Sequence, residues 1–161
     1  MKFNQFSKLS LSILTAANSI FLLFINLFSY NLPDGSIKTV SLFKILAQRE
    51  DTISLFPQES NGFITVFTVL AIVLILAIIF FIQFSALELL KVEANSLGLI
   101  VNITGLLLNL IVFIVLLILN NQVNIVTLSN VHFLPLILAG AFTLAYVPLF
   151  IFGPKDKEIK K

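Results

Sequence analysis

Gly98, Asn102, Gly105 and Asn109 follow one another at spacings of four, three and four inside a stretch that is otherwise almost wholly apolar. At about 3.6 residues per turn these four side chains fall on one face of a helix. Amides on such a face have two uses. They can hydrogen-bond to a neighbouring helix while the glycines let backbones approach, or they can line a path for water or solute. A second stripe, Ser12, Thr15, Ser19 and Asn26 with Asn18 beside it, runs along an earlier apolar segment. The two polar faces are expected to meet, because an amide left facing hydrocarbon costs several kcal/mol, roughly the 2–7 of an unpaired polar group. A later segment carries small residues four apart, Ala139 with Thr143 and Ala141 with Ala145, and is interrupted by Pro135 and Pro148. Pro148 removes a backbone hydrogen bond next to Tyr146, a position for a kink or hinge. Helix packing is the favoured reading of all three stripes, and a polar path or ligand contact is the other.

Other chemistry is hard to assemble. His132 is the lone histidine, and no Cys, Asp or Glu lies near it in sequence. A metal site would need Asp34, Glu50, Asp51 or Glu59 brought together across loops, so His132 reads as interfacial or exposed. There is no G-x-S-x-G motif, no acidic pair or lysine base inside an apolar stretch, and no glycine-rich phosphate loop. Asn102-Ile103-Thr104 matches a glycosylation acceptor, but it is embedded in an apolar segment that glycosylation cannot reach. We expect no catalytic residue, no metal and no cofactor, hence a protein that is not an enzyme.

The elements that must position the stripes are four segments without Asp, Glu, Lys or Arg, at about 9–30, 63–85, 97–119 and 131–153. Each is the length a helix needs to cross a hydrocarbon core roughly 30 Å thick. The expected fold is an all-α membrane protein, a four-transmembrane-helix bundle forming a single domain over residues 1–161, with external loops at 31–62 and 120–130. Composition agrees: of 161 residues 58% are hydrophobic and 11% charged, against about a quarter charged in a soluble domain. Too little chain lies outside the four segments to build a separate soluble head. The first segment is expected to be retained rather than cleaved, since its apolar run continues past Thr15-Ala16-Ala17 to Phe28. The second segment is almost pure Val, Ile, Leu and Phe, fit to face lipid or a larger apolar partner.

Charge sets the orientation. With four spans, Lys2, Lys8, Lys91, Lys155, Lys157, Lys160 and Lys161 share one side, and Lys38, Lys44 and Arg49 the other. That asymmetry puts both termini in the cytoplasm of a cell membrane. The basic residues are too dispersed, and too little interleaved with aromatics, to bind nucleic acid. With no cysteine, disulfides and thiol lipidation are excluded. Abundant Phe, Ile, Leu and Asn with a single arginine match the codon bias of an A/T-rich genome, pointing to a bacterial source.

In the first loop, Asn31-Leu32-Pro33-Asp34-Gly35 is a turn signature. The apolar residues from Val40 to Ala47 then fall at helical spacings, which favours an interfacial helix over a strand and turn. Ile125 to Leu128 reads as a short strand or a loop resting on the first. The second helix is expected to project by about two turns through Glu88 and Lys91, and Asn95-Ser96 to cap the third. The layout of a long first and short third loop resembles that of claudin-like and tetraspanin-like proteins in topology alone. Their paired cysteines and Trp-containing loop motif are absent, so no residue carries over.

The implied partners are the lipid bilayer and another membrane protein or a second copy of the chain. The expected role is an accessory, assembly or regulatory subunit of a larger membrane complex. The alternatives are a small oligomeric channel or transporter with an Asn-lined path, and an immunity-type membrane protein. Single cysteines placed at Ser54 and Lys157 test the orientation: the first is expected to react with an impermeant maleimide from outside, the second only from inside. Reversed labelling would invert the topology.

Overall fold

A computed structural model of the chain describes residues 3–31, 34–48, 61–89, 95–122, 126–129 and 133–152. Its elements in order are α1 (Phe3–Phe24), β1 (Phe28–Asn31), β2 (Ile37–Val40), α2 (Leu42–Ala47), α3 (Asn61–Leu89), α4 (Asn95–Gln122), β3 (Val126–Leu128) and α5 (Leu134–Phe152). The four long helices, α1, α3, α4 and α5, are each long and apolar enough to cross a membrane. The chain is therefore a mostly helical, multi-pass membrane protein.

Polarity sorts the helices. α1 packs against α3, α4 and α5, and α4 packs against α1, α3 and α5, while α3 and α5 flank this central pair on opposite sides. α1 and α4 carry the two polar stripes, so the bundle puts its hydrogen-bonding residues where protein surrounds them. Half of the α1 span is buried within the protein, against 22% for α3 and 17% for α5. α3 turns Val69, Val73, Leu76 and Phe80 outward, the surface expected of a helix whose solvent is hydrocarbon.

The first span is shorter than hydropathy implied. α1 stops at Phe24, and from Phe28 the chain is a strand. The change is one of period: Phe28 and Tyr30 are buried while Asn31 is exposed, an alternation that fits a sheet. β1 is the centre of a three-stranded antiparallel sheet ordered β2-β1-β3. Phe28 pairs with Val40 on one side and with Leu128 on the other. Leu27 locks both neighbours, its N–H donating to the Val40 carbonyl at 2.8 Å and its carbonyl accepting from the Ser129 N–H at 3.0 Å. Of the helix and the strand weighed from Val40 onward the structure has both, since the strand ends at Val40 and a short helix follows directly as α2, while residues 49–51 lie outside the described residues. Ser41 caps that helix by accepting from the Lys44 N–H at 3.2 Å. The short third-loop strand is present as β3, but its partner is β1 at Phe28–Tyr30, a stretch expected within the first span and not in the loop 31–62.

The turn signature holds where the structure describes it. The Ser36 hydroxyl and N–H donate to Asp34 Oδ1 at 2.7 and 2.9 Å. Those two bonds, the hydroxyl's first, hold the Asp34 carboxyl below its ordinary pKa. Gly35 takes φ +81°, a conformation glycine adopts at no steric cost. α3 continues the second span to Leu89, and the further projection through Lys91 lies outside the described residues, as does His132.

Sheet and bundle share one core. Phe28, Tyr30 and Val40 from the strands join Leu42 and Ile45 of α2, Ile64 and Phe67 of α3, and Leu116 and Leu119 of α4. The Phe28 and Phe67 rings sit 5.8 Å apart, a distance at which tilted aromatic pairs attract.

Gly98 of α4 shows why a glycine is needed at a close approach. A Cβ built there overlaps the Tyr146 hydroxyl of α5, whereas one built on Gly140 meets nothing within 4 Å. Tyr146 is fully buried, so its ring must shift within the packed interior to make room for the added methyl. Gly98→Ala is expected to lower stability in detergent by about 1–3 kcal/mol, the cost of overpacking. Gly140→Ala is expected to be neutral or to gain about 0.5–1 kcal/mol of helix propensity. Equal melting temperatures would remove the Gly98–Tyr146 packing from the account.

Candidate functional site

The centre of the α1–α4 contact is Thr15 against Asn102. Thr15 Oγ1 donates to Asn102 Oδ1 at 2.7 Å, across 87 residues of sequence. The Thr15 hydroxyl also lies 2.9 Å from the Leu11 carbonyl. Its single proton serves one acceptor at a time, and the shorter contact is the one between helices. Asn102 Nδ2 donates back to the Gly98 carbonyl at 2.9 Å. On the far side, Thr143 of α5 lies 3.1 Å from the Asn102 backbone carbonyl and 2.8 Å from the Ala139 carbonyl. Asn102, 1% exposed, is thus the point where α1, α4 and α5 are tied together.

Around this point the polar residues divide into three groups. Ser12 and Ser19 are buried and return their hydroxyls to their own helix, to the Lys8 and Thr15 carbonyls at 3.1 and 2.9 Å. That satisfies a hydroxyl in lipid without any partner helix. Asn18 and Asn109 are buried and half-satisfied: Asn18 Nδ2 donates to the Pro135 carbonyl of α5 at 2.8 Å, and Asn109 Nδ2 to the Gly105 carbonyl at 2.8 Å. Asn18 Oδ1 and Asn109 Oδ1 are both sealed from solvent and lack a hydrogen-bond partner. An orphaned buried acceptor costs about 1–3 kcal/mol. Asn26, by contrast, is exposed and lies beyond the end of α1. It leaves the stripe because the helix ends two residues before it.

The glycine–asparagine face of α4 serves two neighbours. A Cβ on Gly105 would stand 2.8 Å from Thr15 Cγ2 of α1, so this glycine admits α1. Gly98, one end of the same face, admits Tyr146 of α5 instead. Sequence spacing marked both as points of close approach but carried no information on which helix approaches. Ala139 and Thr143 are joined to the face through the Thr143 hydroxyl.

Two buried residues were not singled out as site residues beforehand. Lys8 is 4% exposed and lies within the Phe6–Phe24 span, two residues inside the first apolar residue. Its position one turn before Ser12 on the buried face of α1 was the available signal. Tyr146 carried weight only as the neighbour of Pro148, yet it fills the space that Gly98 leaves open.

Among the described residues there is no group of three or more His, Cys, Asp or Glu that could hold a metal ion. What the seam can do chemically is bind through amide and hydroxyl groups. Compared with known protein families, characterised proteins and solved structures, the chain matches none.

The Thr15–Asn102 contact is measurable as a coupling. In a double-mutant cycle of Thr15→Val and Asn102→Leu, the interaction energy is expected at about 0.6 kcal/mol and no more than about 2. Each single change should destabilise more than Leu107→Ala, which truncates an exposed side chain of the same helix. Strict additivity would mean that the two side chains do not act on each other.

Proposed function

We propose that the chain is a non-enzymatic membrane protein that works by association, as an accessory, assembly or regulatory subunit of a larger membrane complex in a bacterial cell membrane, with both termini cytoplasmic. The observation that carries this reading is the use made of the polar stripes. Thr15 donates across helices to Asn102 and Thr143 reaches the Asn102 carbonyl from α5, while the Asn102 amide hydrogens and the Ser12 and Ser19 hydroxyls go to carbonyls of their own helices. A bundle closed in this way offers its surroundings mainly apolar helix faces. That of α3 carries Val66, Val69, Val73, Leu76 and Phe80 outward. Association between such faces in lipid rests on packing, which suits a constitutive partner.

One observation favours the second reading, a small channel or transporter. Asn18 Oδ1 and Asn109 Oδ1 are acceptors without donors, and a transient water or solute entering the seam would supply them. The two readings separate in one experiment. Purified in mild detergent, the chain is expected to retain a stoichiometric membrane-protein partner, and the chain alone in liposomes is expected to pass no solute. With Asn102 and Asn109 both replaced by Leu, stability or partner retention should fall. Solute flux by the protein alone, abolished in a stable double variant, would overturn the subunit reading in favour of the channel.

A further inference from the structure

α2 is a six-residue helix that presents three different sides. Leu42 and Ile45 are wholly buried, in the core they share with Ile64 and Phe67 of α3. Phe43 and Ala47 are four residues apart, hence on one side of the helix, and both are exposed. Lys44, a third of a turn further round, is exposed as well, and its ammonium is turned to the sheet, donating to the Thr39 carbonyl at 3.0 Å and to the Thr39 hydroxyl at 3.2 Å. A surface helix in water needs an apolar side for the core and a polar one for solvent. The Phe43–Ala47 side is a third, apolar and uncovered.

Its position says what covers it. The Phe43 ring lies against Phe24 of α1, centroids 4.7 Å apart and planes at 34°, yet the two residues remain 41% and 54% exposed. Phe24 is the last residue of the α1 span, and Ile20, one turn before it on the same side, is exposed too. Phe43 therefore prolongs a surface that hydrocarbon already covers. α3 gives the depth. Its span begins at Gly62, and Ile64 and Phe67 lie two and five residues further in, about 3 and 7.5 Å at 1.5 Å per residue. The apolar side of a helix lying in the membrane interface sinks by a similar amount, about 5–10 Å.

We propose that α2 is a membrane-interface anchor, with Phe43 and Phe24 packed against the acyl chains of the leaflet at the sheet end of the bundle and Lys44 at the level of the headgroups. A second copy of the chain is the poorer occupant. Two half-exposed rings offer about 200 Å², against the roughly 800 Å² per partner of a stable protein interface. Only Ser41 separates β2 from α2, so the anchor holds the three-stranded sheet directly over the lipid surface. This placement needs the membrane spans alone, and it is the same for a subunit and for a channel.

The chain contains neither tryptophan nor cysteine, so single reporters can be introduced. In phosphatidylcholine vesicles, Phe43→Trp fluorescence is expected to be quenched about twofold more strongly by lipid brominated near the headgroup end of the acyl chain than by lipid brominated near its methyl end, and to be insensitive to aqueous iodide. Leu76→Trp, outward in the middle of the α3 span, should show the reverse order between the two lipids. Phe24→Trp reports on the same patch should Phe43→Trp fail to fold. In the same vesicles an impermeant maleimide is expected to label Gln48→Cys about tenfold faster than Ala47→Cys, although both positions are exposed, and to label the two equally in denaturant. Quenching by iodide in place of brominated lipid would put the patch in water and overturn the proposal. Protection from both quenchers would do the same by placing a protein over the rings, and equal labelling in vesicles would remove the lipid-facing side of α2.

Discussion

A hydrogen-bonding side chain inside a bilayer has no water to turn to, and the arrangement of this bundle follows from where such side chains are placed. α1 and α4 carry most of the buried serines, threonines and asparagines, and these two helices form the central pair that touches every other long helix. The Thr15–Asn102 bond at 2.7 Å lies between them. Moving either polar face outward would expose an amide to hydrocarbon, at a cost comparable to that of the bond several times over. α3 has almost nothing polar to hide and is free to take a flanking position, and α5, bound to the pair through Thr143 and Asn18, takes the other.

The same constraint acts on the backbone where the helices end. Beyond Phe24 the chain can no longer satisfy its own N–H and C=O groups within a helix, and it does so by pairing strands. β1 lies between β2 from its own loop and β3 from the loop joining α4 to α5, so two connections distant in sequence are stitched together. The stitching continues downward, because Phe28 and Tyr30 join the apolar core of the bundle. The end of the molecule that carries the sheet is therefore anchored to α1, α3 and α4.

Asn18 and Asn109 stand apart from this pattern. Each directs its amide hydrogens to a carbonyl and leaves its oxygen buried without a donor. Such groups are uncommon in native structures, and each costs about 1–3 kcal/mol. They are also the features on which the subunit and channel readings differ, since a permanently packed interior gains nothing from an empty acceptor.

Much of this architecture was legible in the residues alone. Four charge-free segments announced four helices, and the four-three-four spacing of Gly98, Asn102, Gly105 and Asn109 placed them on one buried face, because helical period and the cost of charge in lipid are local properties of a chain. The Asp34-Gly35 turn was legible for the same reason. Other features depended on partners far away in sequence. Residues 25–30 are as apolar as the helix before them, and only the presence of β2 and β3 makes Phe28–Asn31 a strand. Gly98 and Gly105 are equivalent in sequence, yet one receives a tyrosine from α5 and the other a threonine from α1. Asn26 has the right spacing for the stripe and misses it because the helix has already ended. Amino-acid type determined which surfaces had to be buried; only the packing of the folded chain decided what each was buried against.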